Sequence, residues 1–318
     1  MRYSKVIMYK EILDKISEYD SIVIFGHVNP DGDCYGSQIG LKNAILDNFN
    51  NKKVWAVGTG YPKLFPLMGP LDQVDDETIK NSLAIVVDTS NQDRVEDQRF
   101  KLALDVIKID HHIAQEHFGN PELVDTSKIS CTELITNLLM ENNLVISEKA
   151  ARGLFLGLVT DSGRFLYQPI SPNTYMVASK LVDTGINCQE LYDILYEVEE
   201  KMLRFKGYVY SNYKKTKENV VYLVLSKETL KELDVDYNIA ASQVNSIANI
   251  KGSPAWVFFS ESPTGLVRVE LRSKEINVQE VASTFNGGGH LHASGCRLDA
   301  IEDYKYVLEV LDKKIRGR

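Results

Sequence analysis

The chain reads as an α/β protein with two parts: a larger N-terminal domain whose mainly parallel sheet is flanked by helices, then a smaller C-terminal α/β domain. Three observations predict this. Short apolar, β-branched runs end in polar or acidic residues, as buried parallel strands do. Between these runs lie stretches of helical apolar spacing, and strands alternating with helices argue for a parallel sheet. At 318 residues the chain also exceeds the usual size of one domain.

Taken in order, residues 9–19 have helical spacing and precede the strand SIVIF at 21–25, after which 35–48 reads as helix. KVWAV (53–57), LAIVVD (83–88) and DVIKID (105–110) are further strands. Ser130 and Glu133 have capping-box spacing and start a helix through about 142. Helix 148–160 carries Ala151, Leu154, Phe155 and Leu158 on one face. Ser171-Pro172 open the next helix and Gly185 closes it, matching the N-terminal proline and C-terminal glycine asymmetry. A polar helical stretch over 187–215 ends in KKTKEN and reads as a linker, giving expected domains of 1–186 and 216–318. In the second of these, strands at 220–225, 255–259 and 267–271 alternate with helices near 240–250, 277–285 and 301–314.

Composition narrows the function. With 44% hydrophobic and 25% charged residues the chain is an ordinary globular protein. Residues 1–16, with charges interleaved among apolar residues, read as neither a secretory h-region nor a transit peptide, and without a run of about 18 apolar residues no membrane span is expected. Cys34, Cys131, Cys188 and Cys296 lie far apart without a C-x-x-C pair, which fits reduced thiols in a cytoplasm. The net charge of −8 excludes a protein that tracks long nucleic acid on a basic face. It favours small anionic substrates in a local pocket, with bound cations offsetting some of the acids.

Acids and histidines gather at strand ends. Strand 21–25 runs into Gly26-His27-Val28-Asn29-Pro30-Asp31-Gly32-Asp33, strand 83–87 into Asp88, strand 105–109 into Asp110-His111-His112, and helix 148–160 into Asp161. Ligands of open parallel sheets bind outside the carboxyl ends of the strands, where these loops would meet. An EF-hand reading of the first segment fails, because its sixth position is Cys34 and its twelfth Gly40. Taken singly, each segment has an ordinary surface or capping explanation. Together they crowd carboxylates: a pair ~4 Å apart repels by roughly 4 kcal/mol at an effective dielectric of ~20. Divalent cations remove that repulsion, and carboxylates with a minority of imidazoles suit Mn²⁺ or Mg²⁺. Four carboxylates and two histidines are enough for two ions, an arrangement that activates water for phosphoryl hydrolysis.

These residues resemble the DHH phosphoesterase superfamily, named for the triplet seen here as Asp110-His111-His112. The resemblance spans the chain: His27-x-Asn29-Pro30-Asp31-x-Asp33, Asp88, Asp161 within Val159-Thr160-Asp161-Ser162-Gly163-Arg164-Phe165, and Gly287-Gly288-Gly289-His290-x-x-Ala293-Ser294-Gly295 of the associated DHHA1 domain. It implies two Mn²⁺, with Mg²⁺ as the alternative. His27, Asp31 and Asp88 would hold one; Asp33, Asp88, His111 and Asp161 the other, with Asp88 bridging. His112 would contact the scissile phosphate, and Asp110 would orient a histidine. In the second domain Arg272 and Ser273 would bind substrate together with Gly288, Gly289 and His290, Arg268 being a further candidate. Arg268, Glu270 and Arg272 share one strand face by the period of two, and the glycines allow close backbone approach and an anion-binding nest. The active-site cleft is expected between the domains.

Length and second-domain type look most like bacterial oligoribonucleases and 3′-phosphoadenosine-5′-phosphate (pAp) phosphatases. The implied reaction is hydrolysis of RNA dinucleotides to mononucleotides, removal of the 3′-phosphate of adenosine 3′,5′-bisphosphate, or both. Cyclic-di-AMP or linear di-adenylate phosphodiesterase activity is the alternative, and a nucleotide-binding regulator is the non-enzymatic one. A homodimer is compatible with the sequence. Cys34-Tyr35 depart from the smaller or aliphatic residues expected after Asp33, which would alter the pocket beside the second metal. Arg164 reaches substrate phosphate or is solvated, His292 offers a second polar contact past the glycines, and His117 reads as an exposed loop residue.

Overall fold

The computed structural model of the chain describes residues 2–113, 116–167 and 169–317, with side chains from residue 7 onward. It divides into two compact units, Met1–Glu197 and Val198–Arg318. The stretch 187–215, expected as a linker, supplies a helix to each.

In the first unit α1 (Arg2–Glu18) precedes β1 (Ser21–Phe25), α2 (Gly32–Asn48) and β2 (Lys53–Val57). The short helices α3 (Phe65–Met68) and α4 (Asp76–Lys80) lead to β3 (Leu83–Val87), β4 (Asp105–Asp110) and β5 (Glu122–Val124). Helices α5 (Cys131–Glu141), α6 (Glu148–Asp161), α7 (Pro172–Val182) and α8 (Cys188–Tyr196) complete it. The five strands are all parallel in the order β2-β1-β3-β4-β5. Side chains alternate across the sheet as a two-residue period requires. Ile22 and Ile24 face the large core under α2, α5 and α6, while Val23 and Phe25 face a smaller one with Val86, Val95 and Phe100. The order reverses at β1, so the loops leaving β1, β3 and β4 open side by side at one sheet end, the place where such folds bind ligands.

Helices α2 and α6 cross at glycines. A Cβ on Gly153 would lie 2.8 Å from both the Gly36 oxygen and the Gly40 nitrogen, and one on Gly157 would lie 2.5 Å from Asp33 Oδ1. Only glycine permits this approach. It sets the start of α2, with Asp31 and Asp33, beside the end of α6, with Asp161.

The second unit holds α9 (Glu200–Asn212), β6 (Lys214–Lys215), β7 (Val221–Leu225), α10 (Lys227–Glu232) and α11 (Tyr237–Ser242). After these come β8 (Ala255–Glu261), β9 (Val267–Ser273), α12 (Val278–Thr284), β10 (Gly288–His290), β11 (Ala293–Leu298) and α13 (Tyr304–Arg316). Its sheet runs β10-β11-β9-β8-β7-β6 and is antiparallel except between β7 and β8. Helices α12 and α13 pack on Val257, Phe259, Val267, Val269 and Leu271; α9, α10 and α11 pack on Trp256, Phe258 and the β7 side chains of the opposite face. Helix 240–250 of the sequence reading is α11 continued by a 3-10 turn over Gln243–Ile247. Among the described residues no helix is long and apolar enough to cross a membrane.

Candidate metal centre

Each acid of the first unit is fixed by local backbone chemistry. Asp31 is the N-cap of α2 and accepts the amides of Asp33 and Cys34 at 3.0 and 3.1 Å, as a capping aspartate does. Asp33 is wholly buried. It accepts Cys131 N–H at 2.6 Å, Thr132 N–H at 3.0 Å and the Thr132 hydroxyl at 2.8 Å, so the start of α5 anchors it. Asp88 follows β3 with φ +53°, a left-handed conformation that costs a non-glycine residue free energy and is typical of functional positions. Its N–H donates to Ile109 O of β4 at 2.9 Å.

The loops leaving β1 and β4 converge on Asp88. His27 Nε2 stands 3.5 Å from Oδ2 of Asp88 and 3.8 Å from Asp31, while His27 Nδ1 lies 2.9 Å from the Val28 carbonyl. His111 Nε2 lies 3.3 Å from Oδ1 of Asp88, 3.6 Å from Asp33 and 3.4 Å from Asp161. Its Nδ1 faces the Lys128 carbonyl at 3.3 Å. A carbonyl partner sets the proton on Nδ1 and leaves the Nε2 lone pair turned inward, the tautomer that metal ligation needs.

The donor set fits divalent cations. His111 Nε2 and Asp88 Oδ1 are buried without a hydrogen-bond partner. Buried polar atoms are nearly always satisfied, so two such orphans on facing groups call for an unseen partner. Adjacent donors of an octahedral ion with bonds of ~2.1 Å stand about 3 Å apart, close to the spacings of His111 Nε2. Three groups of donors lie mutually within 4.8 Å: His27, Cys34 and Asp88; Asp88, His111 and His112; Asp33, His111 and Asp161.

Electrostatics say the same. Burial, reinforced by Asp88, pushes the Asp33 carboxyl up to about 7. Burial with Asp33 and Asp88 pushes Asp161 up to about 9. Burial alone would lower His111, but Asp88, Asp33 and Asp161 raise it to about 10. His27 is likewise raised by Asp31 and Asp88 against the effect of burial. Without cations the folded protein therefore holds protons that the unfolded chain releases near pH 4 to 6.5. Groups with raised folded values stabilise fully at low pH, and that contribution is lost as pH rises through those values. In EDTA the melting temperature is thus expected to fall from about pH 5 to about pH 9, and added Mn²⁺ to restore it with proton release. An EDTA melting temperature that climbs over this range would contradict the coupling.

His112 borders the cluster, its Nδ1 3.5 Å from Asp88 Oδ1. Its side chain is half exposed, and Nδ1 lies 2.9 Å from Asp110 Oδ1, whose carboxylate raises the imidazole above its usual range. Burial would raise Asp110, but His112 and Lys108 hold it below the usual carboxylate value. Lys108 is fully buried, 3.4 Å from Asp110 Oδ2, 3.1 Å from the Ser90 carbonyl and 4.7 Å over the Phe118 ring. Sequence reading passed over this lysine as one residue of an apolar strand. The available signal was its two-residue spacing from Asp110, which puts both on one face.

In the second unit, register places Arg268, Glu270 and Arg272 on one face of β9, opposite Arg297, Gly295 and Ala293 of β11. Glu270 is clamped by both arginines, Arg268 at 2.7 Å and Arg272 at 3.1 Å. Arg268 also donates to Asn238, and Arg272 to the Leu271 carbonyl at 2.9 Å. A cavity of about 790 Å³ opens along this face between Arg268, Glu270, Asn238 and Gly287. The glycine signature forms exposed strand β10 paired with β11. Gly289 has φ +135°, and a Cβ there would meet the Ala293 oxygen at 2.7 Å. Gly288 and His290 are exposed, whereas Ser273 is buried and its hydroxyl donates to the Ile276 carbonyl and lies 3.1 Å from His292 Nδ1.

Other residues fall as follows. Arg164 lies 5.0 Å over the Tyr196 ring, and His117, exposed, pairs with Glu122 at 2.6 Å. Cys34 lies beside His27 and Asp88. Cys34, which departs from the smaller or aliphatic residue expected after Asp33, turns its Sγ to the His27 N–H.

Comparison with known proteins agrees with this anatomy. Residues 21–158 match the DHH family, N-terminal domain, and residues 217–317 match the DHHA1 domain. The chain is 35% identical over 308 residues to a protein of Streptococcus mutans named probable bifunctional oligoribonuclease and PAP phosphatase NrnA, covering 97% of this chain and 99% of that one. It is 35% identical to the bifunctional oligoribonuclease and PAP phosphatase NrnA of Bacillus subtilis, covering 96% of this chain and 98% of that one. The crystal structure of an exopolyphosphatase-related protein from Bacteroides fragilis superposes with TM-score 0.83 at 27% identity, covering 98% of each chain.

Proposed function

Because the chain belongs to the DHH family and carries its DHHA1 domain, and is therefore a metal-dependent phosphoesterase, we propose that it cleaves very short oligoribonucleotides to mononucleotides and removes the 3′-phosphate of adenosine 3′,5′-bisphosphate. The observation that carries the reading is Asp88, whose two carboxylate oxygens face different histidines, His27 on one side and His111 on the other. A carboxylate so placed is suited to bridging two cations. His27, Asp31 and Asp88 would hold one; Asp33, Asp88, His111 and Asp161 the other. Mn²⁺ suits the set better than Mg²⁺, since two imidazoles join the carboxylates. The pair of ions would supply an activated water and neutralise charge on the phosphate.

The chain's own residues do the rest. His112, oriented through Nδ1 by Asp110, which raises the imidazole above its usual range, presents Nε2 to a phosphate oxygen or to the departing oxygen. Lys108 holds Asp110 in place from within the sheet. In the second unit Arg272, aligned by Glu270, offers a planar fork to a terminal phosphate. Gly288, Gly289 and His290 present exposed backbone and imidazole, and Arg268 lines the adjoining cavity. Ser273 contributes by fixing the turn after β9 through the Ile276 carbonyl. The relatives named for both activities support this substrate class. The unpaired cysteines fit work in a reducing cytoplasm.

The test presents the metal-stripped chain, with Mn²⁺ or EDTA, with a 5′-phosphorylated RNA dinucleotide, a longer RNA, adenosine 3′,5′-bisphosphate and cyclic di-AMP. Mn²⁺-dependent turnover of the dinucleotide and the bisphosphate is expected to dominate. Preferential turnover of cyclic di-AMP would move the chain to second-messenger breakdown, and binding without turnover would make it a regulator. Arg272→Ala is expected to raise KM for the dinucleotide roughly 10- to 100-fold, the equivalent of one charged hydrogen bond, with kcat at saturation preserved. A fall confined to kcat would place Arg272 among the reacting groups instead.

A further inference from the structure

We infer that Cys34 turns the cation position at His27 and Asp88 into a site for a thiophilic divalent cation, such as Cd²⁺ or Zn²⁺, held through sulfur as well as nitrogen and oxygen. The inference rests on the metal-centre reading above and deepens it.

Cys34 lies in the first turn of α2, next to Asp33 and three residues after the capping Asp31. It is fully buried, and its Sγ accepts the backbone N–H of His27 at 3.2 Å. That sulfur, a ring nitrogen of His27 and a carboxylate oxygen of Asp88 all lie within 4.8 Å of one another. Asp88 is 2% exposed, its Oδ2 faces His27 at 3.5 Å, and its Oδ1, turned to His111, has no hydrogen-bond partner. The sulfur thus joins donors that already await a cation. Among the described residues no other cysteine enters such a group. Cys131, equally buried and also near Asp33, donates its S–H to the Ile109 carbonyl at 3.2 Å instead.

Ligand softness makes the difference. Mn²⁺ and Mg²⁺ take carboxylate and imidazole and leave a neutral thiol aside, whereas Zn²⁺ and Cd²⁺ favour thiolate. When such a cation enters, the metal–sulfur bond forms as the S–H proton passes to solvent, as thiolate ligation requires. Mn²⁺ also stands lowest in the affinity order of divalent ions. A soft cation is therefore favoured at this position twice, by its place in that order and by the sulfur. An excess of Zn²⁺ would displace the working ion and silence hydrolysis.

The experiment titrates the metal-stripped full chain with Cd²⁺ and follows the ultraviolet thiolate-to-cadmium charge-transfer band. Cys34→Ala is examined beside it, with Cys34→Ser as a variant of nearly unchanged size and circular dichroism to verify folding. A saturable band is expected in the wild type and none in either variant, with Cd²⁺ affinity lowered roughly 10- to 100-fold. A band that persists in both folded variants overturns the assignment. So does a wild-type chain that, reloaded with Mn²⁺ in a parallel sample, shows no band although Cd²⁺ releases that Mn²⁺, read from the paramagnetic resonance of free Mn²⁺. Mn²⁺-dependent hydrolysis by the same wild-type preparation separates two failures. Turnover without the band refutes the sulfur alone; loss of both refutes the metal centre on which it rests.

Discussion

Replacing Asp88 by Ala is expected to lower kcat by at least about a thousandfold, roughly 4 kcal/mol of barrier, while the fold survives. The size of the effect follows from geometry. The two carboxylate oxygens of Asp88 face His27 at 3.5 Å and His111 at 3.3 Å, so one substitution removes a donor from both cation positions. Asp31 would remain for one and Asp33 with Asp161 for the other, each set short of a ligand. The same substitution relieves crowding, because Asp88 raises Asp33 and Asp161 toward neutrality. Asp88 also raises His111 and His27, so the two effects oppose in EDTA, and the variant is expected to gain less than the wild type on adding Mn²⁺. Turnover within tenfold of wild type would sink the bridging role.

Gly153→Ala is expected to cost about 3 kcal/mol of stability, at the upper end for overpacking a well-filled core. For a unit of this size that corresponds to a melting temperature lower by ~6–12 °C. The new methyl carbon would lie 2.8 Å from both the Gly36 oxygen and the Gly40 nitrogen. Both neighbours are backbone, so neither swings aside as a side chain would. Helices α2 and α6 must part, and with them Asp31 and Asp33 from Asp161. Weaker Mn²⁺ binding should accompany the loss of stability, though residue 153 touches none of the ligands. Calorimetric melting with a parallel Mn²⁺ titration tests this; an unchanged melting temperature would mean that the crossing tolerates a methyl group.

The central strands and the clustering of acids and histidines at their ends were legible because their signals are local. SIVIF, LAIVV and DVIKID are apolar runs closed by the very acids and histidines that gather in the structure. What surrounds the centre was not legible to the same degree. Thr132 and the Cys131 amide reach Asp33 from a distant part of the chain, and no local pattern marks a second partner. Lys108 was hidden because a buried lysine inside a strand imitates an interruption of an apolar run. The glycine signature offered no alternation to read, so β10 was assigned no element, and only its pairing with β11 makes it a strand. In the second unit the face of β9 was predicted from its period of two, but the clamping of Glu270 between two arginines depends on side-chain conformation.

The crossing of α2 with α6, and the anchoring of Asp33 by residues 98 and 99 positions further on, impose an order on biosynthesis. His27, Asp31 and Asp33 leave the ribosome early, yet nothing holds Asp33 in position until residues 131 and 132 follow. The set of donors closes only when Asp161 has emerged and α6 has docked. A cation at the Asp33, Asp88, His111 and Asp161 position therefore does not template the nascent chain, since closing so long a loop must come before its ligands meet. It acts as the last fastening of a unit already assembled, so metal starvation should yield a folded, inactive protein that a later supply of metal can still restore.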